Sequence, residues 1–347
     1  MRVVTQKPNW KYVTVNCDKV ALEGYLKDGA KFVLKNGEEI EISKDRISAL
    51  AAVFNQSMMG PGSCFIEPSA LKSFNSKQID MSKRRETIKL LDGTVFDKDI
   101  LLEKMDDDSF YYGELGRKAL SSSAIKSLLD SPKEYNRSLY YSSDNPAFRM
   151  GRLIHLMALE PEKVDTLCHV VDVQSRNTKT YKEKAQELGS EDFLFTQKEF
   201  TKAEYVADAV CQNQIFQELT RDAEFEVPGF GIVQGFPFRA KADIFDIGAG
   251  MVCDLKTTSD IKAFPYSARK YGYDVQVYLY CEIFGIDYTG FKFFAIDKGS
   301  GDLGYYDVSE DFYESGKAKV TYALKIYKEY FVDQTTPLNE YVIKGTL

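Results

Sequence analysis

Apolar and polar positions follow two different patterns along the chain, which predicts two regions. Residues 31–54 and 87–105 each alternate on both sides of an Asn-Gly or Asp-Gly step and continue into a helix-like run. Such steps between alternating segments predict β-hairpins. A duplicated hairpin-plus-helix unit would give this pattern, but two hairpins in one small α+β domain would give it as well. We therefore expect a small α+β N-terminal domain over residues 1–110, for which the sequence indicates no role.

From residue 111 the pattern changes to helical spacing that alternates with strand-like segments. An acidic, glycine-containing stretch near residue 106 has the composition of a linker. The predicted helices cover residues 121–131, 145–163, 201–219, 263–285 and 310–333, and the predicted strands cover residues 223–230, 235–247, 251–259, 290–298 and 303–309. Residues 172–192 are polar, which is typical of an exposed loop or a mobile helix. This order predicts an α/β domain over residues 111–347, with a mixed-sheet core flanked by helices.

Composition and charge exclude several classes of protein. No apolar run is long enough to span a bilayer, and the first residues lack the features of a signal peptide, so we expect a cytoplasmic protein without a membrane segment. The six cysteines are dispersed without a C-x-x-C pair, which predicts reduced thiols rather than disulfides, a zinc site or an iron–sulfur cluster. The net charge of −7 argues against a generally basic nucleic-acid-binding surface but leaves room for a local positive channel.

The segment Met251–Thr258 has the apolar character of a buried strand but carries an acid and an amine. Because side chains alternate between the two faces of a strand, Asp254 and Lys256 leave the same face. In isolation such a pair is most often a solvated ion pair. Asp243, however, ends the preceding strand, and a Gly-Ala-Gly turn brings that strand back antiparallel, so that two carboxylates converge. Converging carboxylates repel unless a cation lies between them, which predicts a site for a hard divalent cation such as Mg²⁺.

Further candidates surround this pair. Beside a cation, Lys256 could orient or deprotonate a bound water, or neutralise an attacked phosphate. Glu224, on the preceding strand-like segment, is a candidate carboxylate, and Glu226 on the same face is its rival for that role. Gln276 and Tyr280 lie at i and i+4 on a predicted helix. An aromatic stripe on a helix is usually core, but a glutamine within it could lean over the metal site.

Two of these segments together resemble the metal-binding core of the PD-(D/E)XK nuclease superfamily. The sequence KADIFD…MVCDLKTT has the Asp…Asp-x-Lys form of that core, with Asp rather than the commoner Glu at position 254. Four further blocks, at residues 151–162, 175–189, 222–227 and 271–280, are similar to the RecE-type exonucleases, the exodeoxyribonuclease VIII family of phages and prophages. The blocks occur in the family's order and extend over roughly residues 120–300.

The resemblance implies a restriction-endonuclease-like fold and a set of catalytic residues. Carried over position by position, this set is His155, Glu224, Asp243, Asp254, Lys256, Gln276 and Tyr280. A lone helical histidine is more often structural than catalytic, so the role of His155 comes from the resemblance, and His169 is interpreted as structural. The family proline before the first metal aspartate is replaced by Ala242, a sterically mild change. The superfamily branch with an iron–sulfur cluster is disfavoured, because no cysteine group follows the core.

The resemblance also implies an activity. It leads us to expect a Mg²⁺-dependent exonuclease that degrades one strand of linear double-stranded DNA from its 5′ end, in phage recombination or DNA degradation. The resemblance also implies that the protein forms a ring-shaped homo-oligomer and cooperates with a single-strand annealing protein. If the protein is phage-encoded, we expect it to act in the cytoplasm of the host. We recognise no family resemblance over residues 1–110, so their role stays open.

Metal-assisted phosphodiester hydrolysis is the resulting hypothesis. The predicted ligands of one or two Mg²⁺ ions, for which Mn²⁺ can substitute, are Asp243, Asp254, Glu224, His155 and the backbone carbonyl of Leu255. The candidates for contacts to DNA phosphates are Arg149, Arg152, Arg176, Lys179 and Lys182, each of which alone is more often a solvated surface charge. Two alternatives stay open: an endonuclease or single-strand nuclease with the same site, and a non-catalytic DNA-binding protein on a nuclease scaffold.

Overall fold

The computed structural model describes five short strands within residues 1–86 by their backbone, and it describes residues 87–141 and 146–343. The chain divides into two compact units, residues 1–85 with 247–249 and residues 86–246 with 250–347. The division therefore falls after Arg85 and not near residue 110, where the pattern placed it.

The strands of the smaller unit form one five-stranded sheet in the order β1-β2-β5-β3-β4. Their bounds are β1 Val3–Lys7, β2 Trp10–Thr14, β3 Ala30–Val33, β4 Glu39–Ile42 and β5 Ser63–Ile66. β3 and β4 pair antiparallel up to Val33 and Glu39, which confirms the hairpin predicted around the Asn-Gly step. The turn residues and the helix-like run predicted after them lie outside the described residues.

A second hairpin begins the larger unit, as the Asp-Gly step predicts. β6 (Thr87–Lys89) and β7 (Val95–Asp97) pair antiparallel across a turn in which Gly93 has a φ of +85°, a conformation that glycine adopts without strain. The helix α1 (Lys98–Lys104) follows directly. The Asp97 carboxylate accepts hydrogen bonds from its first N–H groups and so fixes where this helix begins.

The acidic stretch after residue 106 is not a linker, in contrast to the prediction from its composition. It forms a π-helix, Ser109–Glu114, and a 3₁₀ turn, Leu115–Arg117. Buried side chains from this stretch and from the preceding hairpin and helix pack against Phe230 of the main sheet; they are Ile88, Leu90, Leu101, Met105, Tyr111, Leu115 and Ala119. Apolar positions spaced between the acids therefore anchor the stretch, and residues 87–119 belong to the larger unit.

A five-stranded mixed sheet forms the centre of the larger unit, as predicted. Its strands, in spatial order, are β10 Glu224–Val233, β11 Phe236–Asp246, β12 Met251–Thr258, β13 Phe291–Asp297 and β14 Leu303–Asp307. β12 and β13 pair in parallel, and the other neighbours pair antiparallel. A separate parallel pair is formed by β8 (His169–Val171) and β9 (Leu194–Thr196).

Helices account for most of the remaining chain. They are α2 Ser122–Asp130, α3 Pro132–Ser138, α4 Pro146–Leu159, α5 Val164–Leu167, α6 Lys179–Leu188, α7 Gln197–Cys211, α8 Gln214–Thr220, α9 Phe264–Lys270, α10 Tyr273–Phe284 and α11 Glu310–Tyr327. Single turns of 3₁₀ or π-helix lie at Pro161–Lys163, Tyr288–Gly290, Lys328–Val332 and Leu338–Glu340.

Two predicted helices are each divided in two. Gly272 has a φ of +64° and separates α9 from α10. Asn213 accepts hydrogen bonds from the first N–H groups of α8 and so separates this helix from α7. None of the helices in the described part of the chain is both long and apolar enough to cross a membrane.

Alternate residues of β12 face two different cores. Val252 lies in a cluster with Val275 of α10, whereas Cys253 and Leu255 lie in a cluster with Ile154 of α4. Helices therefore cover both faces of the sheet, which is the sandwich that the sequence predicted. A charged side chain on this doubly covered strand needs partners inside the protein, because water does not reach it freely.

Candidate metal centre

The two central strands separate at the point where the predicted carboxylates meet. β11 and β12 pair as far as Ile244 and Cys253, where their backbone pairing ends. One residue further, Oδ2 of Asp243 accepts a 2.8 Å hydrogen bond from the backbone N–H of Leu255. A side chain thus supplies the acceptor for a strand N–H, which holds the Asp243 carboxylate at the gap between the strands.

Asp243 shares this gap with a histidine and a glutamate. His155, Glu226 and Asp243 each offer one ligand atom, and these three atoms all lie within 4.8 Å of one another. Nδ1 of His155, on α4, is 3.6 Å from Oδ2 of Asp243. Glu226 stands opposite Asp243 on β10, since the residues on either side of both are paired. Three separate elements therefore bring these three side chains to one point. We call His155, Glu226 and Asp243 the metal triad.

The backbone of Glu226 carries strain. Its φ of +50° lies in the left-handed region, which non-glycine residues seldom adopt. Such a conformation costs of order 1–3 kcal/mol and persists where the surroundings enforce it, often at functional sites. Glu224, two residues earlier, is exposed and does not belong to the metal triad. The structure thus brings Glu226, the rival carboxylate, to the predicted position instead of Glu224.

The second predicted aspartate is almost completely buried, with 1% of its surface exposed. Oδ1 of Asp254 accepts a hydrogen bond from Nε2 of Gln276, on α10, and its Oδ2 contacts the ammonium group of Lys256. A buried carboxylate is tolerated only with partners of this kind. Asp254, Lys256 and Gln276 therefore form one connected set, as the sequence predicted for the Asp-x-Lys face and the neighbouring helix.

Burial and repulsion raise the pKa values of the two acids of the metal triad. The pKa of Asp243 is raised to about 8, first by burial and then by the Asp254 carboxylate. The pKa of Glu226 is raised to about 7, first by burial and then by the charge of Asp243. These carboxyl groups are therefore held closer together than is favourable for their charged forms.

The pKa values of the two basic groups at the site, Lys256 and His155, are shifted in opposite directions. Burial acts to lower the pKa of Lys256, but the carboxylates of Asp254 and Asp243 outweigh it and raise this pKa, so the amine stays charged. Burial, followed by the positive charge of Lys256, lowers the pKa of His155. The imidazole is therefore held in its neutral form, which is the form that binds metal ions.

The donors of the metal triad fit a divalent cation. An imidazole nitrogen and two carboxylate oxygens converge, while the ammonium group of Lys256 is engaged with Asp254. A cation among the three donors would relieve the repulsion that raises the pKa values of the acids. Oxygen-rich sites of this kind suit Mg²⁺ or Mn²⁺ better than softer metals. The backbone of Leu255, a predicted ligand, borders the triad, and its N–H donates a hydrogen bond to Asp243.

The tyrosines and a second lysine lie around the buried Asp–Lys pair. The hydroxyl of Tyr280 donates a 2.8 Å hydrogen bond to the backbone carbonyl of Lys241, so this tyrosine supports β11. The Tyr273 ring centre lies 5.1 Å from Nζ of Lys256 and 5.2 Å from Nζ of Lys126. Burial, and then the charge of Lys256, lowers the pKa of Lys126 to about 8. Nothing in the sequence pattern singled out Lys126, since a lysine in an amphipathic helix is ordinary.

Most of the basic residues predicted to contact DNA are engaged with acids. Arg149 is buried and pairs with Glu191 at 2.5 Å. The other partners are Asp192 for Arg152 at 3.1 Å, Glu199 for Arg176 at 2.8 Å and Glu183 for Lys179 at 3.6 Å, while Lys182 is exposed. Arg149 in particular is held inside the protein, so it is poorly placed for a phosphate contact.

The fold and the site together define the class of protein. A mixed sheet between helices, an aspartate at the gap between two strands and an Asp-x-Lys segment on the second strand are the features of the PD-(D/E)XK nuclease superfamily. A family model described as a PDDEXK-like domain of unknown function, DUF3799, matches residues 121–340. The match covers more than half of the chain, which therefore belongs to this family.

Two solved structures are similar to the chain at low sequence identity. A putative exonuclease from Eubacterium rectale is 17% identical with a TM-score of 0.46, and the match covers 70% of this chain and 95% of that one. A phage-related exonuclease from Haemophilus somnus 129PT is 13% identical with a TM-score of 0.29, and the match covers 62% of this chain and 96% of that one. No curated protein sequence matches the chain.

Proposed function

We propose that the protein is a Mg²⁺-dependent deoxyribonuclease that hydrolyses phosphodiester bonds. The observation that carries this proposal is the meeting of the metal triad with the buried Asp254–Lys256 pair at the gap between β11 and β12. Crowded acids, a neutral imidazole and a charged amine are the groups that hydrolysis of a phosphodiester needs in one place.

Each group has a separate role in this proposal. His155, Glu226 and Asp243 hold the cation, with Asp254 and the Leu255 carbonyl as further candidate ligands. When bound, a divalent cation supplies Lewis acidity toward the phosphodiester and lowers the pKa of a water molecule. Lys256 directs positive charge toward the attacked phosphate and orients the nucleophile, while Gln276 fixes the orientation of Asp254. Catalysis then depends mainly on charges that are in position before the substrate arrives.

The finer assignment concerns the substrate. We propose digestion of linear double-stranded DNA from its 5′ end in phage recombination or DNA degradation, because four sequence blocks resemble the RecE-type exonucleases in order. A ring-shaped homo-oligomer and a single-strand annealing protein as partner follow from the same resemblance. Arg152, Arg176, Lys179 and Lys182 remain candidate phosphate contacts in such an assembly, and Mn²⁺ is expected to replace Mg²⁺.

The decisive experiment digests linear duplex DNA labelled at either its 5′ or its 3′ end, with Mg²⁺ or with EDTA. The proposal predicts Mg²⁺-dependent release of the 5′ label as mononucleotides and no attack on closed circular DNA. Cleavage of closed circles would instead show an endonuclease, and digestion restricted to unpaired DNA would show a single-strand nuclease. Binding without any hydrolysis in Mg²⁺ or Mn²⁺ would contradict the enzymatic proposal and favour a non-catalytic DNA-binding protein.

A further inference from the structure

A row of charged residues on β11 leads to the metal triad. Because strand residues alternate between faces, Arg239, Lys241 and Asp243 share one face, while Ala240 and Ala242 are buried on the other. Neighbouring members of the row are about 6.8 Å apart along the strand. The two cationic side chains therefore lie within a few residues of a triad member, on the face that carries its carboxylate.

Two consecutive tyrosines of the π-helix cover this cationic row. The ring of Tyr111 is buried, whereas Tyr112 is 64% exposed, and the two ring centres are 4.8 Å apart in an edge-to-face contact. The Arg239 guanidinium lies 4.5 Å from the Tyr111 ring centre and 5.9 Å from that of Tyr112. Nζ of Lys241 lies 5.3 Å and 6.0 Å from the same two ring centres. An exposed aromatic ring is thus held beside two cations.

The charges of this cluster are only partly neutralised. Lys241 pairs with Asp108 at 2.5 Å. For Arg239, which is partly exposed, no acidic side chain lies within ion-pair distance among residues 87–141 and 146–343. Packing alone accounts for Tyr111, whose ring belongs to the buried cluster that includes Phe230 of β10, but it does not account for the exposed ring of Tyr112. An anion and a flat apolar group from outside would complete the cluster.

We propose that Tyr112, Arg239 and Lys241 form a nucleotide subsite beside the metal triad, in which a base stacks on Tyr112 and a backbone phosphate binds Arg239. The subsite rests on the proposed nuclease function and adds to it a place for the strand next to the cleaved bond. Stacking on an aromatic side chain tolerates any base, and a guanidinium contacts a phosphate without reading sequence. The subsite therefore serves a nuclease that digests DNA of any sequence.

The test measures binding of a fluorescent single-stranded oligonucleotide by anisotropy in EDTA, where no cleavage occurs. Four proteins are compared: wild type, Tyr112→Ala, Tyr112→Trp and the control Tyr205→Ala, which removes a tyrosine of similar exposure, 68%, from α7. Removing the stacking ring is expected to weaken binding by about tenfold. Tyr112→Trp keeps a flat ring and should retain binding, as should the Tyr205→Ala control.

An oligonucleotide of the same length that lacks its bases separates stacking from a structural role. Wild type should prefer the base-containing strand, and Tyr112→Ala should lose most of this preference. Arg239→Gln should weaken the binding of both oligonucleotides equally. It should also reduce the slope of log K against log salt concentration by about 0.7. Melting curves establish that each variant is folded.

The outcomes distinguish this subsite from the nuclease proposal. If the wild type digests linear duplex DNA but Tyr112→Ala binds the oligonucleotide as well as Tyr205→Ala does, the subsite proposal is wrong and the nuclease proposal stands. A wild type that neither binds nor digests DNA would overturn both. A selective loss in Tyr112→Ala that depends on the bases supports the subsite, whichever strand polarity the digestion shows.

Discussion

The backbone N–H of Leu255 donates a 2.8 Å hydrogen bond to Oδ2 of Asp243, just beyond the point where β11 and β12 cease to pair. One carboxylate of the site is therefore anchored by main-chain geometry before any ion binds. Because Asp243 is fixed, the approach of His155 and Glu226 from α4 and β10 decides whether a cation can be held.

Replacing the glutamate of the metal triad should abolish the response to metal. Glu226→Gln removes one of the two converging carboxylates, so the rise in melting temperature on adding Mg²⁺ or Mn²⁺ should largely disappear. Glu224→Gln is the matched control, because that side chain is exposed on the same strand and outside the triad. Differential scanning fluorimetry checks both variants. A metal response lost in Glu224→Gln and kept in Glu226→Gln would reverse the assignment.

The two histidines of the chain provide a direct probe of metal position. His155 belongs to the triad, whereas His169 is exposed on β8. Paramagnetic Mn²⁺, added at low ratio to protein with ¹³C-labelled histidine, should broaden the imidazole signal of His155 and leave that of His169 sharp. Assignment comes from His169→Gln. Equal broadening of both signals would argue for ion binding at scattered surface acids.

Lys256 is expected to be essential for hydrolysis but not for binding DNA. Lys256→Met keeps the aliphatic stem and removes the charge, and the digestion rate should fall by at least about 100-fold. The control is Lys292→Met on the adjacent strand, where the amine pairs with Asp307 at 2.6 Å. Rates are measured below the melting temperature of each variant, because Asp254 loses its buried cation in Lys256→Met. Digestion by Lys256→Met at the wild-type rate would remove this lysine from the mechanism.

The pKa of Asp243 predicts how the metal-free protein responds to pH. Its pKa is raised from 3.8 to about 8 in the folded state, so the folded protein binds more protons than the unfolded chain between these values. The free energy of unfolding contributed by this group therefore falls as pH rises through that window. In Asp243→Asn the contribution is absent. Denaturation in EDTA at several pH values should show that wild type loses more stability than Asp243→Asn on going from acid to neutral pH; parallel curves would contradict this.

Local rules were sufficient for the centre of the site. The alternation of β12 and the short turn before it place Asp243, Asp254 and Lys256 together, and these rules involve few residues. These rules did not distinguish Glu224 from Glu226, because side chains two residues apart on a strand lie on the same face. The difference lies in the φ of +50° at Glu226 and in its position opposite Asp243, between the paired residues Phe225 and Val227, which tertiary contacts impose.

The remaining predictions depended on contacts between residues that are far apart in the sequence. Arg149 was predicted as a candidate contact to a DNA phosphate, yet it pairs with Glu191, which is 42 residues away. The stretch after residue 106 was interpreted as a linker from its acidic composition, although Tyr111 and Leu115 bury themselves under β10. In both cases the deciding partner is distant in sequence, which composition and periodicity do not detect.

Gly316 packs against the start of α10 and should not tolerate a side chain. A Cβ atom built at this position would lie 1.9 Å from the backbone carbonyl oxygen of Asp274, at the start of α10. Gly316→Ala must therefore shift α11 away from the helix that carries Gln276, which should cost at least about 1–3 kcal/mol.

The matched control for Gly316→Ala is Gly113→Ala, since a Cβ there meets nothing within 4 Å. That variant should be neutral or stabilised by up to about 1 kcal/mol, because alanine restricts the unfolded chain. Urea denaturation compares the two free energies of unfolding. If Gly316→Ala were as stable as Gly113→Ala, the close packing of α10 against α11 would not be what holds the Gln276 helix in place.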